Sequence, residues 1–203
     1  MRKLNYDDRM SFPSKQQWPA ILAPGDERFA ADKFYEYYRV KYGIAAELKP
    51  DRIAEIGVRY GYSACAFLSA MPEAAYTGFD KIGGGHGGVA GDTFEFVRPL
   101  LSGRFPSAQI DLIHADSQTL DSLGGPYDLI HIDGDHTERG CSHDLRLAFD
   151  ATAAGGSILV DDYDYIAGVS EAVDKFVDQN AAAISRHYYR RSLRGEYIIE
   201  KKG

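Results

Sequence analysis

Five short apolar segments recur along the chain, and each is followed by residues with helical spacing. They are DRIAEIGV (51–58), AAYTGFD (74–80), AQIDLIHAD (108–116), YDLIHID (127–133) and GGSILVDDY (155–163). Their apolar residues run continuously instead of occupying every second position, which is the pattern of strands covered on both faces. The intervening stretches include 63–70, 92–102 with Phe94, Val97, Leu100 and Leu101 at helical intervals, a face marked by Cys141, Leu145, Ala148 and Phe149, and 168–180. Strands alternating with helices predict a parallel sheet with helices on both sides. The C-terminal stretch AISRHYYRRSLRGEYIIEKK reads as two further strands around a turn at Arg194-Gly195. The expectation is a single-domain α/β, Rossmann-like doubly wound sheet of about seven strands, mostly parallel, with an antiparallel C-terminal strand.

Two segments make up the single domain: an N-terminal arm and helix over 1–48, acting as a lid, and the sheet domain over 49–203. Residues 1–28 are polar and contain Pro13, Pro19 and Pro24 without a clear period, so they are expected to form an arm and not a core element. Residues 29–48 are helical in composition. The formal net charge is −7, which argues against nucleic acid as a partner, since phosphate binding calls for a basic face. The sequence shows no run long enough to span a bilayer and no signal-peptide core, so a cytoplasmic protein is expected. Cys65 and Cys141 fall at apolar helical positions and are read as reduced core thiols. Homo-oligomerisation is left open.

In a sheet of this kind ligands bind beyond the carboxyl ends of the strands. Those ends carry Gly57 to Gly61, Asp80, Asp116, Asp133 to His136, and Asp161-Asp162. The turn EIGVRYG (55–61) opens a helix, where glycines permit close approach to a ligand and free N–H groups face it. Asp80 ends the next strand about 20 residues later, as a ribose-binding carboxylate does. A dinucleotide or S-adenosylmethionine satisfies this pattern. Arg59 occupies the place of the second glycine of a dinucleotide loop, and Glu55 ahead of the turn would repel a pyrophosphate but suits a ligand bearing an ammonium group.

Taken in order, AEIGVRYGYSA, GFD, HADS, DLIHIDGDHT and GGSILVDDY resemble a class I S-adenosylmethionine-dependent methyltransferase. More narrowly, they are similar to small-molecule O-methyltransferases of the macrocin and mycinamicin sugar-methyltransferase and cephalosporin-hydroxylase-like group, over roughly residues 50 to 180. The resemblance implies that Glu55 and Gly57 lie near the methionine part of S-adenosyl-L-methionine, that Asp80 holds the ribose hydroxyls, and that Asp116 and Ser117 flank the adenine. Gly61 completes the expected cofactor loop. Arg59 departs from the glycine common in such enzymes and leaves the shape of that loop open.

Methyl transfer to a hydroxyl requires the oxygen to become more nucleophilic and to line up behind the methyl group. A divalent cation does both, and hard cations such as Mg²⁺ prefer carboxylate oxygens. Asp133, Asp161 and Asp162 end adjacent strands, and the resemblance assigns all three as Mg²⁺ ligands. It assigns His136, three residues after Asp133, as general base; Asp133 and His136 together are the expected catalytic pair. Asp135 either orients His136 or caps the following helix. His131 reads as a core histidine, His143 as outward-facing, His86 as part of a mobile glycine-rich loop over 82–91 able to close over substrate, and Arg186, Arg190, Arg191 and Arg194 as a solvated hairpin or a greeting for an anionic substrate or a partner subunit. Tyr163, Tyr165 and the aromatic-rich residues 34–42 are candidate acceptor lining or plain core.

The expected function is a metal-dependent O-methyltransferase acting on a small hydroxylated molecule, a sugar or natural-product intermediate. The alternatives are a metal-independent methyltransferase, a nicotinamide oxidoreductase, disfavoured by Arg59 and the lack of a Tyr-x-x-x-Lys pair, and a non-catalytic nucleoside-binding protein.

Overall fold

The computed structural model describes residues 12–83 and 88–203. Residues 1–11 of the expected arm, and His86 with the centre of the glycine-rich loop, lie outside the described residues.

Helix α1 (Asp32–Leu48) leads into β1 (Arg52–Ile56), α2 (Tyr62–Ala70), β2 (Ala75–Asp80), α3 (Phe94–Arg104) and β3 (Gln109–His114). The second half runs β4 (Tyr127–Ile132), α4 (Glu138–Ala151), β5 (Thr152–Val160), α5 (Ala167–Asn180), β6 (Ile184–Arg190) and β7 (Glu196–Lys201). The sheet has seven strands in the order β3-β2-β1-β4-β5-β7-β6. Strands β1 to β5 pair in parallel, and β7 inserts antiparallel between β5 and β6. This is the Rossmann-like fold that the alternating segments predict.

Because successive side chains on a strand point to opposite faces, neighbouring residues feed two cores. Ile53, Leu129, Leu159 and Ile198 face α1 and α2, with Phe67 and Leu68. Ala54, Ile130, Ile158 and Ile199 face α4 and α5, with Leu145, Ala148 and Val173. Cys65 and Cys141 are free and buried, one in each core. No described helix is long and apolar enough to cross a membrane.

The N-terminal segment corrects the expectation of an arm outside the core. Helix α1 begins at Asp32, and two single turns precede it, Trp18–Ile21 and Glu27–Ala30. Trp18, Ile21 and Phe29 are buried in the same core as Tyr38 and Tyr62. The Trp18 indole donates to the Phe29 carbonyl at 2.8 Å, and the Ala23 amide donates to the Tyr62 hydroxyl at 2.8 Å. Prolines and polar residues hide these anchors, since isolated apolar residues on irregular turns leave no period to read.

Candidate active site

The sheet order reverses between β1 and β4, so the chain leaves those two strands on opposite sides and opens a crevice at their ends. A cleft of about 1010 Å³, counted to its open mouth, lies there. Its floor includes Gly57, Asp80, Asp116 and Ser117 on one side and Asp133 and His136 on the other. Arg28, Phe29, Tyr37, Tyr38 and Arg194 line it as well.

Gly57 follows β1 with φ +89°, and a Cβ there would overlap the carbonyl oxygen of Asp133. Glycine therefore lets the ends of β1 and β4 touch at the cleft floor. Gly61 plays a different part from the one expected. It does not line the cleft; it starts α2 at φ +72°, with Val97 packed where a Cβ would be. Arg59 takes a left-handed backbone, φ 49°. Its N–H donates to Asp80 Oδ2 at 2.6 Å, and its guanidinium grips both oxygens of the buried Asp26. Thus the residue that departs from a glycine loop fastens residues 26–29 over the cleft. Burial raises the Asp80 carboxyl above its ordinary value, against the lowering effect of backbone N–H groups such as that of Arg59.

Asp116 lines the cleft and also caps the short turn Ser117–Thr119, accepting from the Gln118 amide at 3.0 Å. His143 is not outward-facing. It is half-buried, with Nε2 3.0 Å from the Ser117 carbonyl oxygen, so it braces this wall.

Glu55 departs from its expected place as well. It is wholly buried beneath the cleft and absent from its lining. Its carboxylate accepts from the hydroxyls of Ser63 and Tyr76 and lies 2.8 Å from His131 Nδ1. Three core partners, all remote in sequence or on another element, claim the charge that in the sequence looks available to a ligand. His131 is the core histidine expected, fully buried and paired with Glu55.

Among the three carboxylates expected to gather, only two do. Asp133, His136 and Asp162 bring ligand atoms within 4.8 Å of one another. His136 Nε2 lies 3.2 Å from Asp133 Oδ1 and 3.4 Å from Asp162 Oδ2. Asp161 turns into the core, where Oδ2 accepts from Tyr37 and from the Lys41 ammonium at 3.0 Å. Lys41 also pairs with Glu196. The backbone separates the two: Asp162, beyond the end of β5, turns left-handed at φ 61°, so its carboxylate does not follow that of Asp161.

Burial acts to raise the Asp161 carboxyl, but Lys41, His131 and Tyr37 outweigh it and hold the group down to about 2. Asp162 goes the other way, pushed up to about 6 by burial and by the charges of Asp161 and Asp133. For His136, burial works downward, and the hydrogen bond and charge of Asp133 leave it raised overall. Asp135 accepts from the Thr137 amide at 2.8 Å in the turn ahead of α4, and the helix itself is capped by Thr137, whose hydroxyl accepts from the Gly140 amide at 3.0 Å.

Arg194 separates from the solvated hairpin. Its Nη1 lies 3.2 Å from Asp162 Oδ1, while Arg186 pairs with Glu200 and Arg190 with Glu47 on the surface. Arg28, on the cleft wall, and Asp26, its buried anchor, are what sequence reasoning misses; Arg194, read only as one of four hairpin arginines, reaches the site through its pairing with Asp162, and a single sequence does not display such pairing.

A seven-stranded sheet of this order, with its cleft across the ends of β1 and β4, is a methyltransferase fold. A methyltransferase-domain family matches residues 54–163, more than half of the chain, and the chain belongs to that family. The SAH-bound methyltransferase PaMTH1 of Podospora anserina superposes with a TM-score of 0.65 at 19% identity, over 98% of this chain and 89% of its own. The O-methyltransferase of Bacillus cereus, solved with SAH, gives 0.61 at 13% identity, over 98% and 93%. The O-methyltransferase TomG of Streptomyces achromogenes, involved in tomaymycin synthesis and solved with SAM, gives 0.58 at 15% identity, over 98% and 92%. At these identities the likeness establishes the fold. No curated protein matches the chain.

Proposed function

We propose that this methyltransferase transfers a methyl group from S-adenosylmethionine to a hydroxyl of a small molecule, of the sugar or natural-product kind, with the help of a divalent cation such as Mg²⁺. The observation that carries the reading is the convergence of Asp133 and His136, on the floor of the cleft, with Asp162 buried directly behind them, in a cleft that also presents Asp80 and Asp116. SAM- and SAH-bound O-methyltransferases of the same fold support the donor.

The donor set fits a hard cation. Two carboxylates converge where burial and mutual repulsion already disfavour both being ionised without compensation. Asp133 and Asp162 would hold the ion. When bound, it neutralises them and lowers the pKa of an acceptor hydroxyl. Asp80 would accept hydrogen bonds from ribose hydroxyls, with Asp116 and Ser117 along the adenine wall. His136, half-buried and braced by Asp133, is the group placed to take the hydroxyl proton. Phe29, Tyr37 and Tyr38 exclude water from the reacting end.

One observation favours a metal-independent version. The Arg194 guanidinium already neutralises Asp162, so the acidic pair is not bare without an ion. Calorimetric titration with S-adenosylhomocysteine, with and without Mg²⁺, and with NAD as control, tests donor and cation together. Binding of S-adenosylhomocysteine but not NAD is expected, with transfer lost in chelator. Full activity in excess chelator would overturn the cation, and NAD binding in place of S-adenosylhomocysteine would overturn the donor.

A further inference from the structure

Lys41 sits on α1, at 0% exposure, with its ammonium between Asp161 and Glu196, themselves at 0% side-chain exposure. Taking an ammonium and two carboxylates out of water costs several kcal/mol per ion, and well-packed apolar residues would hold the same space at least as well. Net stability is a weak reason for such a triad, and what it fixes in space becomes the question. Asp161 directly follows β5 and Glu196 begins β7, and these two strands are paired antiparallel.

Asp161 is held like a fork. Its Oδ2 accepts from Lys41 and Tyr37, and its Oδ1 accepts the backbone N–H of Asp162 at 2.8 Å. That last bond holds Asp162 at φ 61°, a left-handed conformation unusual for a residue with a side chain. The turn is what points the Asp162 carboxylate at His136 and Asp133 instead of at the core. On the other strand, Arg194 and Gly195 immediately precede Glu196, and their carbonyls accept from Asp164 and Tyr163. Lys41 thereby ties together the two chain segments that deliver Asp162 and Arg194.

We propose that Lys41 is a positioning residue for the Asp162 carboxylate, so that the N-terminal helix sets the cation affinity of the cleft. The proposal rests on the cation reading above. Partners that hold a ligand in place typically govern metal affinity by about 10- to 100-fold.

The test uses the full chain as wild type, Lys41→Met, Lys41→Met with Glu196→Gln, and Tyr37→Phe. Mn²⁺ binding is followed by electron paramagnetic resonance, S-adenosylhomocysteine binding by calorimetry, and melting temperature on the same samples. The expected result is Mn²⁺ affinity weakened by about 10-fold or more in the Lys41 variants, with their S-adenosylhomocysteine affinity unchanged, and Mn²⁺ affinity weakened by less in Tyr37→Phe. If Lys41→Met does not fold, the charge-balanced double variant and Tyr37→Phe decide. Variants that bind Mn²⁺ as tightly as the wild type overturn the proposal alone. So do Lys41 variants in which both ligands weaken together with the melting temperature, because that is a general brace. A wild-type chain that takes up no Mn²⁺ overturns the cation reading, and this proposal with it.

Discussion

Asp161 and Asp162 are adjacent in the chain and face opposite environments. Asp161 is clamped by Lys41 and Tyr37 in the core, whereas Asp162 points toward His136 and Asp133 at the cleft. The two should fail differently. Asp161→Asn leaves Lys41 short of one counter-charge and should cost about 3 kcal/mol of stability, since breaking a buried pair strands the remaining charge. Asp162→Asn removes a carboxylate already pushed up to about 6, so it should not lower stability at neutral pH while reducing cation binding. Urea denaturation and calorimetric cation titration on both variants check this. Equal destabilisation by the two would mean that the division between them is not real.

His136→Ala should retain S-adenosylhomocysteine binding and lose rate by on the order of 10²-fold or more. The deficit should shrink as pH rises, because hydroxide in solution takes over the deprotonation proposed for the imidazole. A pH–rate profile of both proteins reads this directly. Wild-type rates near neutral pH in the variant would make His136 a structural residue.

Asp144, buried in α4 and accepting from Gln118 at 2.9 Å, carries its own pH signature. Burial raises its carboxyl from 3.8 to about 6, against hydrogen bonds that lower it. The native state thus binds a proton more tightly than the unfolded chain does. This contribution favours folding below pH 4 and is lost as pH rises through about 6. Asp144→Asn should gain on the wild type by on the order of 2 kcal/mol between pH 4 and pH 7, from a shift of roughly two pKa units. Urea midpoints at the two pH values test it, and parallel behaviour of the two proteins would contradict it.

Two glycines should respond in opposite directions to alanine. Gly57→Ala forces a Cβ into the Asp133 carbonyl at φ +89°, which should cost about 2 kcal/mol or more and displace Asp133. Gly43 sits inside α1 with nothing within 4 Å of its would-be Cβ, so Gly43→Ala should stabilise the fold by about 0.5–1 kcal/mol. Thermal melts decide both, and cofactor and cation titrations on Gly57→Ala show whether its damage reaches the site.

What can be read from the sequence follows from which signals are local. Continuous apolar strands alternating with helical stretches carry the sheet, and the rule that ligands sit at carboxyl ends places Asp80, Asp116, Asp133 and His136 on one edge. Direction of a side chain at a strand end is not local. DDY resembles a pair of equivalent ligands until the backbone at Asp162 is known to be left-handed. Glu55 passes for an ammonium acceptor because nothing near it in sequence announces Tyr76 or His131 as partners. Arg194 is indistinguishable from three similar surface arginines, and only the register of β7 against β5 brings it to Asp162.

Trp18, the chain's one tryptophan, is completely enclosed beside the segment that carries Arg28 and Phe29 to the cleft. Its indole emission therefore arises from a single position whose surroundings are the docked N-terminal segment. Release of that segment would carry the ring from an apolar enclosure into water and shift the emission to longer wavelength. The protein thus contains an intrinsic optical gauge of whether the wall of its cleft is in place, readable in solution without a dye.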